Sequence, residues 1–127
     1  MKLFLALAVL TITTACQGPT DVIGGRVDVR ATPPHLQLTN HSSAAVYYQA
    51  MEGGFAISAN WAPCNDPEKC HGVAPGERFD LPYADIAGFK PGPQTVLVYW
   101  WHLLPAKTES GFRVDSIRAV PVEVEGT

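Results

Sequence analysis

The segment WAPCNDPEKCHGVAPGE, residues 61–77, holds the residue types best able to do chemistry in this chain. Cys64 and Cys70 stand with five residues between them, and His71 follows the second directly. Thiolates and an imidazole suit copper or zinc, so Cys64, Cys70 and His71 could begin a soft-metal site, with Met51, His35, His41 or His102 as the source of a further ligand. Covalent haem attachment asks for two residues between the cysteines, and this spacing excludes it. A redox-active pair would need the same two-residue spacing and a helix N-terminus to lower a thiol's pKa. Two thiols this close can also simply pair, and the choice turns on the compartment in which the chain folds.

The N-terminus speaks to the compartment. MKLFLALAVLTITTACQGPTD places one lysine, Lys2, before an apolar run from Leu3 to Leu10 and small residues up to Cys16. Charged head, short apolar core and small-residue exit form the pattern of an export signal, and the run is too short for a comfortable membrane span. Thr13, Thr14 and Ala15 before Cys16 resemble the lipobox of bacterial lipoproteins, with Thr13 where leucine is commonest. The resemblance implies cleavage before Cys16, a diacylglycerol thioether on its sulfur and a further, palmitate-type acyl chain on the new amino group. Each buried methylene contributes about 0.8 kcal/mol, so two or three chains anchor stably where one would not. Gln17 stands where the sorting rule of such lipoproteins looks for an inner-membrane aspartate. The resemblance therefore implies a cell-envelope location, on the outer membrane facing the periplasm in a host with two membranes.

The resulting layout is a signal peptide over residues 1–15, a tether over 16–25 and one folded domain over 26–127. About 112 residues would remain after cleavage, enough for one domain. In an oxidising envelope, with Cys16 taken by lipid, Cys64 and Cys70 are expected to form a disulfide across a turn favoured by Asn65, Asp66 and Pro67. Losing Lys2 would leave eight basic residues against twelve acidic ones. Such a balance gives no basic stripe for a phosphate backbone, so no nucleic-acid partner is expected.

Catalytic patterns are lacking. Ser42 and Ser43 sit beside His41, but sequence neighbours do not supply the nucleophile, base and orienter geometry of acyl transfer. There is no G-x-S-x-G elbow, H-E-x-x-H helix or phosphate-cradling loop. Glu52–Phe55, EGGF, reads as a turn between strands, and Asp66, Glu68 and Lys69 as a solvated loop face. The expectation is a non-enzymatic protein that needs no cofactor.

Short β-prone runs separated by Pro, Gly and Asn turns make up the remainder. GRVDVRAT alternates Val27 and Val29 with polar residues, and HLQLTN alternates Leu36 and Leu38, with Pro33 and Pro34 between the two runs. AAVYYQAM, FAISANW, ERFDLPY, QTVLVYWWHLL and DSIRAVPVEVE supply further strands. LPYADIAGF breaks the alternation and reads as one turn of helix over Tyr83–Ala87. In the aromatic run, Val96, Val98 and Trp100 face one way and Leu97, Tyr99 and Trp101 the other, so both faces need cover or a partner. Pro121 in the last run marks an edge strand.

The pattern predicts an all-β fold, an immunoglobulin-like sandwich of about seven short, mostly antiparallel strands. LQLTNHSSAAVYY, Leu36–Tyr48, resembles the second and third strands of bacterial immunoglobulin-like domains. With VAPGERFDLPY and VLVYWWHLL the run is similar to small lipoproteins of unknown function built on such a domain. The resemblance implies scaffold, not chemistry, and departs from the antibody pattern in lacking an inter-sheet cystine. Recognition is then the expected role, with the chain a structural or protein-binding accessory module and an envelope protein as its partner. Binding would use edge strands or a surface of Trp61, His71, Tyr99, Trp101 and His102. Two alternatives stand beside it, an envelope metal-handling protein using His71, His102 and Met51, and a carbohydrate-binding module using exposed aromatics.

Overall fold

The computed structural model describes residues 25–106 and 111–126. The expected signal peptide, Cys16 and nearly all of the expected tether lie outside the described residues. Nine strands are found among them: β1 (Val27–Thr32), β2 (His35–Asn40), β3 (Val46–Glu52), β4 (Gly72–Val73), β5 (Arg78–Pro82), β6 (Gly92–Trp101), β7 (Leu103–Pro105), β8 (Phe112–Val114) and β9 (Arg118–Gly126). One short helix, α1 (Gly53–Ser58), follows β3, and a 3₁₀ turn occupies Tyr83–Asp85. The domain is all-β, with antiparallel strand pairing in three sheets ordered β1-β2-β5, β4-β3-β6-β9 and β7-β8.

Alternation explains the first sheet. Leu36 and Leu38 of β2 turn inward, and β1 pairs beside it from Val27 opposite Asn40 to Thr32 opposite His35, across a two-proline turn with a cis Pro33–Pro34 bond. In the four-stranded sheet, Ala50 of β3, Val96 and Val98 of β6 and Val124 of β9 form the inward row. These rows meet Leu36, Leu38, Leu81, Tyr83 and Ile86 in one apolar cluster drawn from both larger sheets. A smaller cluster of Val27, Val46 and Trp100 continues it, with Arg118 stacked 4.7 Å from the Trp100 ring.

Three expectations need correction. FAISANW is not a strand: Gly53–Ser58 is helical, because the Glu52 carboxylate accepts hydrogen bonds from the Gly54 and Phe55 N–H groups at 2.9 and 2.8 Å and so starts a helix where a turn was expected. Those two bonds hold the Glu52 carboxyl below its usual range, with Lys90 at 3.5 Å adding to the effect. The aromatic run is not one strand, since β6 stops at Trp101 and β7 starts at Leu103 around a buried His102. About seven strands in two sheets become nine in three. The turn of helix expected at Tyr83–Ala87 is present, shortened to Tyr83–Asp85, and the Pro121 strand is indeed an edge.

Leu36 has no solvent exposure and belongs to the larger cluster, whereas Ile57 on α1 is 90% exposed. Leu36→Ala is expected to cost about 2–5 kcal/mol of unfolding free energy in denaturant titrations, and Ile57→Ser to stay within about 0.5 kcal/mol of the parent. Equal losses at the two positions would contradict the packing described.

Candidate functional site

Strand β6 dictates what covers the second face of its sheet. Trp101 is only 1% exposed, yet it points away from the core that holds Trp100. Its cover is the loop after α1. Trp61 packs against Tyr99 with ring centroids 5.0 Å apart and against Trp101 at 6.1 Å, and Trp101 Nε1 donates to the Cys64 carbonyl at 3.0 Å. The loop is closed by the Cys64–Cys70 disulfide, Cα atoms 5.9 Å apart, as expected. Within it the Lys69 and Cys70 N–H groups donate to the Asp66 carbonyl, and Asp66 Oδ1 accepts from the Glu68 N–H. By the chain-entropy estimate a loop of this length contributes about 2 kcal/mol.

Beside the cystine lies an open notch of about 320 Å³, lined by Tyr48, Ala50, Lys69, His71 and Asp85 among others. It exists because β3 is incompletely paired. On the side away from β6, β4 reaches only Val46 and Tyr47, opposite Val73 and Gly72. Further along, Ala87 makes a parallel bridge opposite Met51, donating its N–H to the Ala50 carbonyl at 3.2 Å and accepting from the Glu52 N–H at 2.9 Å. Alternate residues of a strand direct their backbone groups to the same edge. The Tyr48 carbonyl and Ala50 N–H therefore face this edge with Ala50 C=O and Glu52 N–H, and no strand among the described residues pairs with them. The Tyr48 hydroxyl shares a 3.0 Å hydrogen bond with His71 Nδ1, and both rings pack on Phe79. Burial, and then the nearby Asp85 charge, push the Tyr48 phenol up to about 12, so it keeps its proton at neutral pH.

A second polar cluster, Asn40, Ser42 and His102, is buried. The Asn40 amide nitrogen donates to the Ala44 and Val73 carbonyls, both at 2.8 Å, which turns Oδ1 toward Ser42. That oxygen accepts from the Ser42 N–H at 2.8 Å and lies 2.5 Å from its Oγ, while the Ala44 carbonyl lies 2.9 Å from the same hydroxyl. With its one proton directed at these acceptors, Ser42 must accept from His102 Nε2 across their 2.8 Å bond. A serine nucleophile needs the opposite polarity, giving its proton to the imidazole. This is a structural tie between the β2–β3 turn and the β6–β7 junction, and the Asp115 N–H extends it by donating to the His102 carbonyl at 2.9 Å.

The structure separates the residues singled out from sequence. Cys16 lies outside the described residues. Cys64, Cys70 and His71 border the notch. Trp61 and Tyr99 are half-buried against one another. Trp101 and His102 do not belong to an exposed surface: Trp101 is under the cystine loop and His102, 0% exposed, is tied to Ser42. The proposed metal set is also dispersed in its contacts. His71 bonds Tyr48, His102 bonds Ser42, and Met51 is 1% exposed between Leu97 and the Ala87 bridge. His41 pairs instead with Asp28 at 2.9 Å, and His35 lies beside Pro34, Tyr83 and Phe89. Among the described residues no three His, Cys, Asp or Glu side chains gather as a metal cluster. Sequence reasoning missed Asp85 and the open β3 edge; the only hint was the broken alternation of LPYADIAGF.

No family model matches this chain, and neither does any curated protein or solved structure.

Burial holds His102 below its ordinary pKa of 6.5, the Arg118 charge adds to this, and Asp115 opposes it. The unfolded chain thus takes up a proton near 6.5 that the folded state resists. This group's contribution to stability is complete above that pH and is lost as pH falls from 6.5 through the lower folded value. Denaturant midpoints measured at about pH 7.5 and about pH 5 should fall more for the parent than for His102→Gln. Identical falls would contradict the assignment.

Proposed function

We propose that this chain is a non-enzymatic, envelope-anchored lipoprotein whose single immunoglobulin-like β-sandwich serves as a protein-binding accessory module. The observation that carries the reading is the notch beside the cystine loop, where β3 offers unpaired main-chain groups between aromatic walls. Backbone groups on an open sheet edge are a recognised means of capturing an extended segment of another protein. The loop beside them is rigidified by its disulfide and by the Trp101 bond, which lowers the ordering cost of association. The buried Ser42–His102 pair, wired with the histidine donating, supports a reading without acyl-transfer chemistry.

Support for the anchor comes from the Leu3–Leu10 run and Thr13-Thr14-Ala15-Cys16, and the oxidised loop cysteines agree with an exported chain. Support for the sandwich comes from the apolar cluster shared by the two larger sheets. Edge-strand pairing could also use the first or the last strand, for β1 and β9 both lie at sheet edges. The β3 notch is preferred because it joins backbone groups to a built pocket, whereas β9 is guarded by Pro121, Glu123 and Glu125.

A photoreactive residue replacing Lys69, at the notch, should crosslink the full-length, membrane-anchored protein to a discrete envelope protein. The same residue replacing Arg30 on β1 should not. No product at position 69, or the same product at both positions, would remove the notch as the binding site.

A further inference from the structure

Resting on the binding-module reading and sharpening it, we propose that the notch accepts a short extended peptide segment. One peptide residue bridges Gln49 in parallel register, and an adjacent lysine or arginine side chain meets Asp85. The register follows from the chain's own pairing. Ala87 bridges Met51, so two residues back a continuing parallel strand would set residue 85 opposite Gln49. The chain does not continue there. Tyr83–Asp85 forms a 3₁₀ turn closed by the Ile86 N–H donating to the Tyr83 carbonyl, which leaves the slot opposite Gln49 unpaired among the described residues. A guest residue placed in it donates its N–H to the Tyr48 carbonyl and accepts from the Ala50 N–H, repeating the pair of bonds that Ala87 makes one step along.

Charge selects the side chain. Among the described residues two charged side chains line the notch, Lys69 and Asp85. Lys69 already lies 3.9 Å from the Asp66 carboxylate, whereas Asp85 is exposed and forms no ion pair among the described residues. The unneutralised charge at the slot is therefore negative, and the whole chain carries a formal net charge of −3. A cationic side chain flanking the bridging residue complements both. The notch volume of about 320 Å³ is at the small end of ligand pockets and suits two or three peptide residues better than a folded surface.

The test uses the full-length protein and four capped peptides: a single lysine among valines and threonines, the same peptide N-methylated on alternate residues in either frame, and a version with glutamate for lysine. Binding is read by calorimetry. The lysine peptide should bind, one N-methylated frame should abolish binding while the other is tolerated, and the glutamate peptide should bind about tenfold more weakly or less. Asp85→Asn should keep the sensitivity to N-methylation and lose the preference for lysine over glutamate. Indifference to both N-methyl frames overturns the main-chain bridge, and an unchanged lysine preference in Asp85→Asn overturns the charge assignment. If no peptide binds while the crosslink at position 69 still forms, this inference fails and the binding-module reading survives; loss of both removes the two together.

Discussion

A strand whose two rows of side chains are both apolar cannot rest against water on either face, and β6 has two such rows. Val96, Val98 and Trp100 go into the cluster between the larger sheets, which leaves Leu97, Tyr99 and Trp101 needing a second cover. The sheet β7-β8 does not provide it for Trp101; the segment between α1 and β4 does, through Trp61 and the Cys64 carbonyl. Covering an aromatic row with irregular chain raises its own difficulty, because loop backbone near a core must satisfy its polar groups locally. The Asp66-centred turn and the disulfide answer this by tying the loop to itself.

The same arrangement sets the shape of the notch. Because the residues between α1 and β4 are spent on covering Tyr99 and Trp101, β4 is reduced to Gly72–Val73 and cannot extend along β3. From the other end, the segment after β5 approaches β3 at Ala87, but the 3₁₀ turn before it keeps Asp85 out of the ladder. The open stretch lies between two segments that each stop short for a reason found elsewhere in the fold. Gly72 permits one of these approaches, since the Tyr47 ring comes so close that an added Cβ would sit 3.1 Å from it.

Much of the scaffold was legible in the sequence, because period-two alternation is a local signal. Val27 and Val29, Leu36 and Leu38, and Val120, Val122 and Val124 declare their strands and inward faces without help from distant residues. Pro121 declared an edge because it lacks a donor, and the two loop cysteines declared their bond through their close spacing, read together with an expected export signal. The misreadings share one cause, dependence on a partner remote in the chain or on an uncommon local device. Helix α1 starts on a glutamate, a less usual cap than Ser, Thr, Asp or Asn, and its residues Phe55 and Ile57 are strand-like in type. His102 read as part of a binding surface, and only Ser42, far away in sequence, explains its burial. Asp85 carried no motif, since its position matters only because β3 is unpaired beside it.

The recognition proposed for the notch turns on the state of one backbone amide. Ala50 and Met51 are adjacent, buried and in the same strand, but the Met51 backbone faces the β6 edge and that of Ala50 the notch. Native-state hydrogen exchange of the full-length protein, resolved by residue, compares them directly. Ala50 N–H should exchange much faster than Met51 N–H under conditions where global unfolding is negligible. Equal, slow exchange at both amides would mean that the β3 edge is already occupied, and would contradict the notch as a site of recognition.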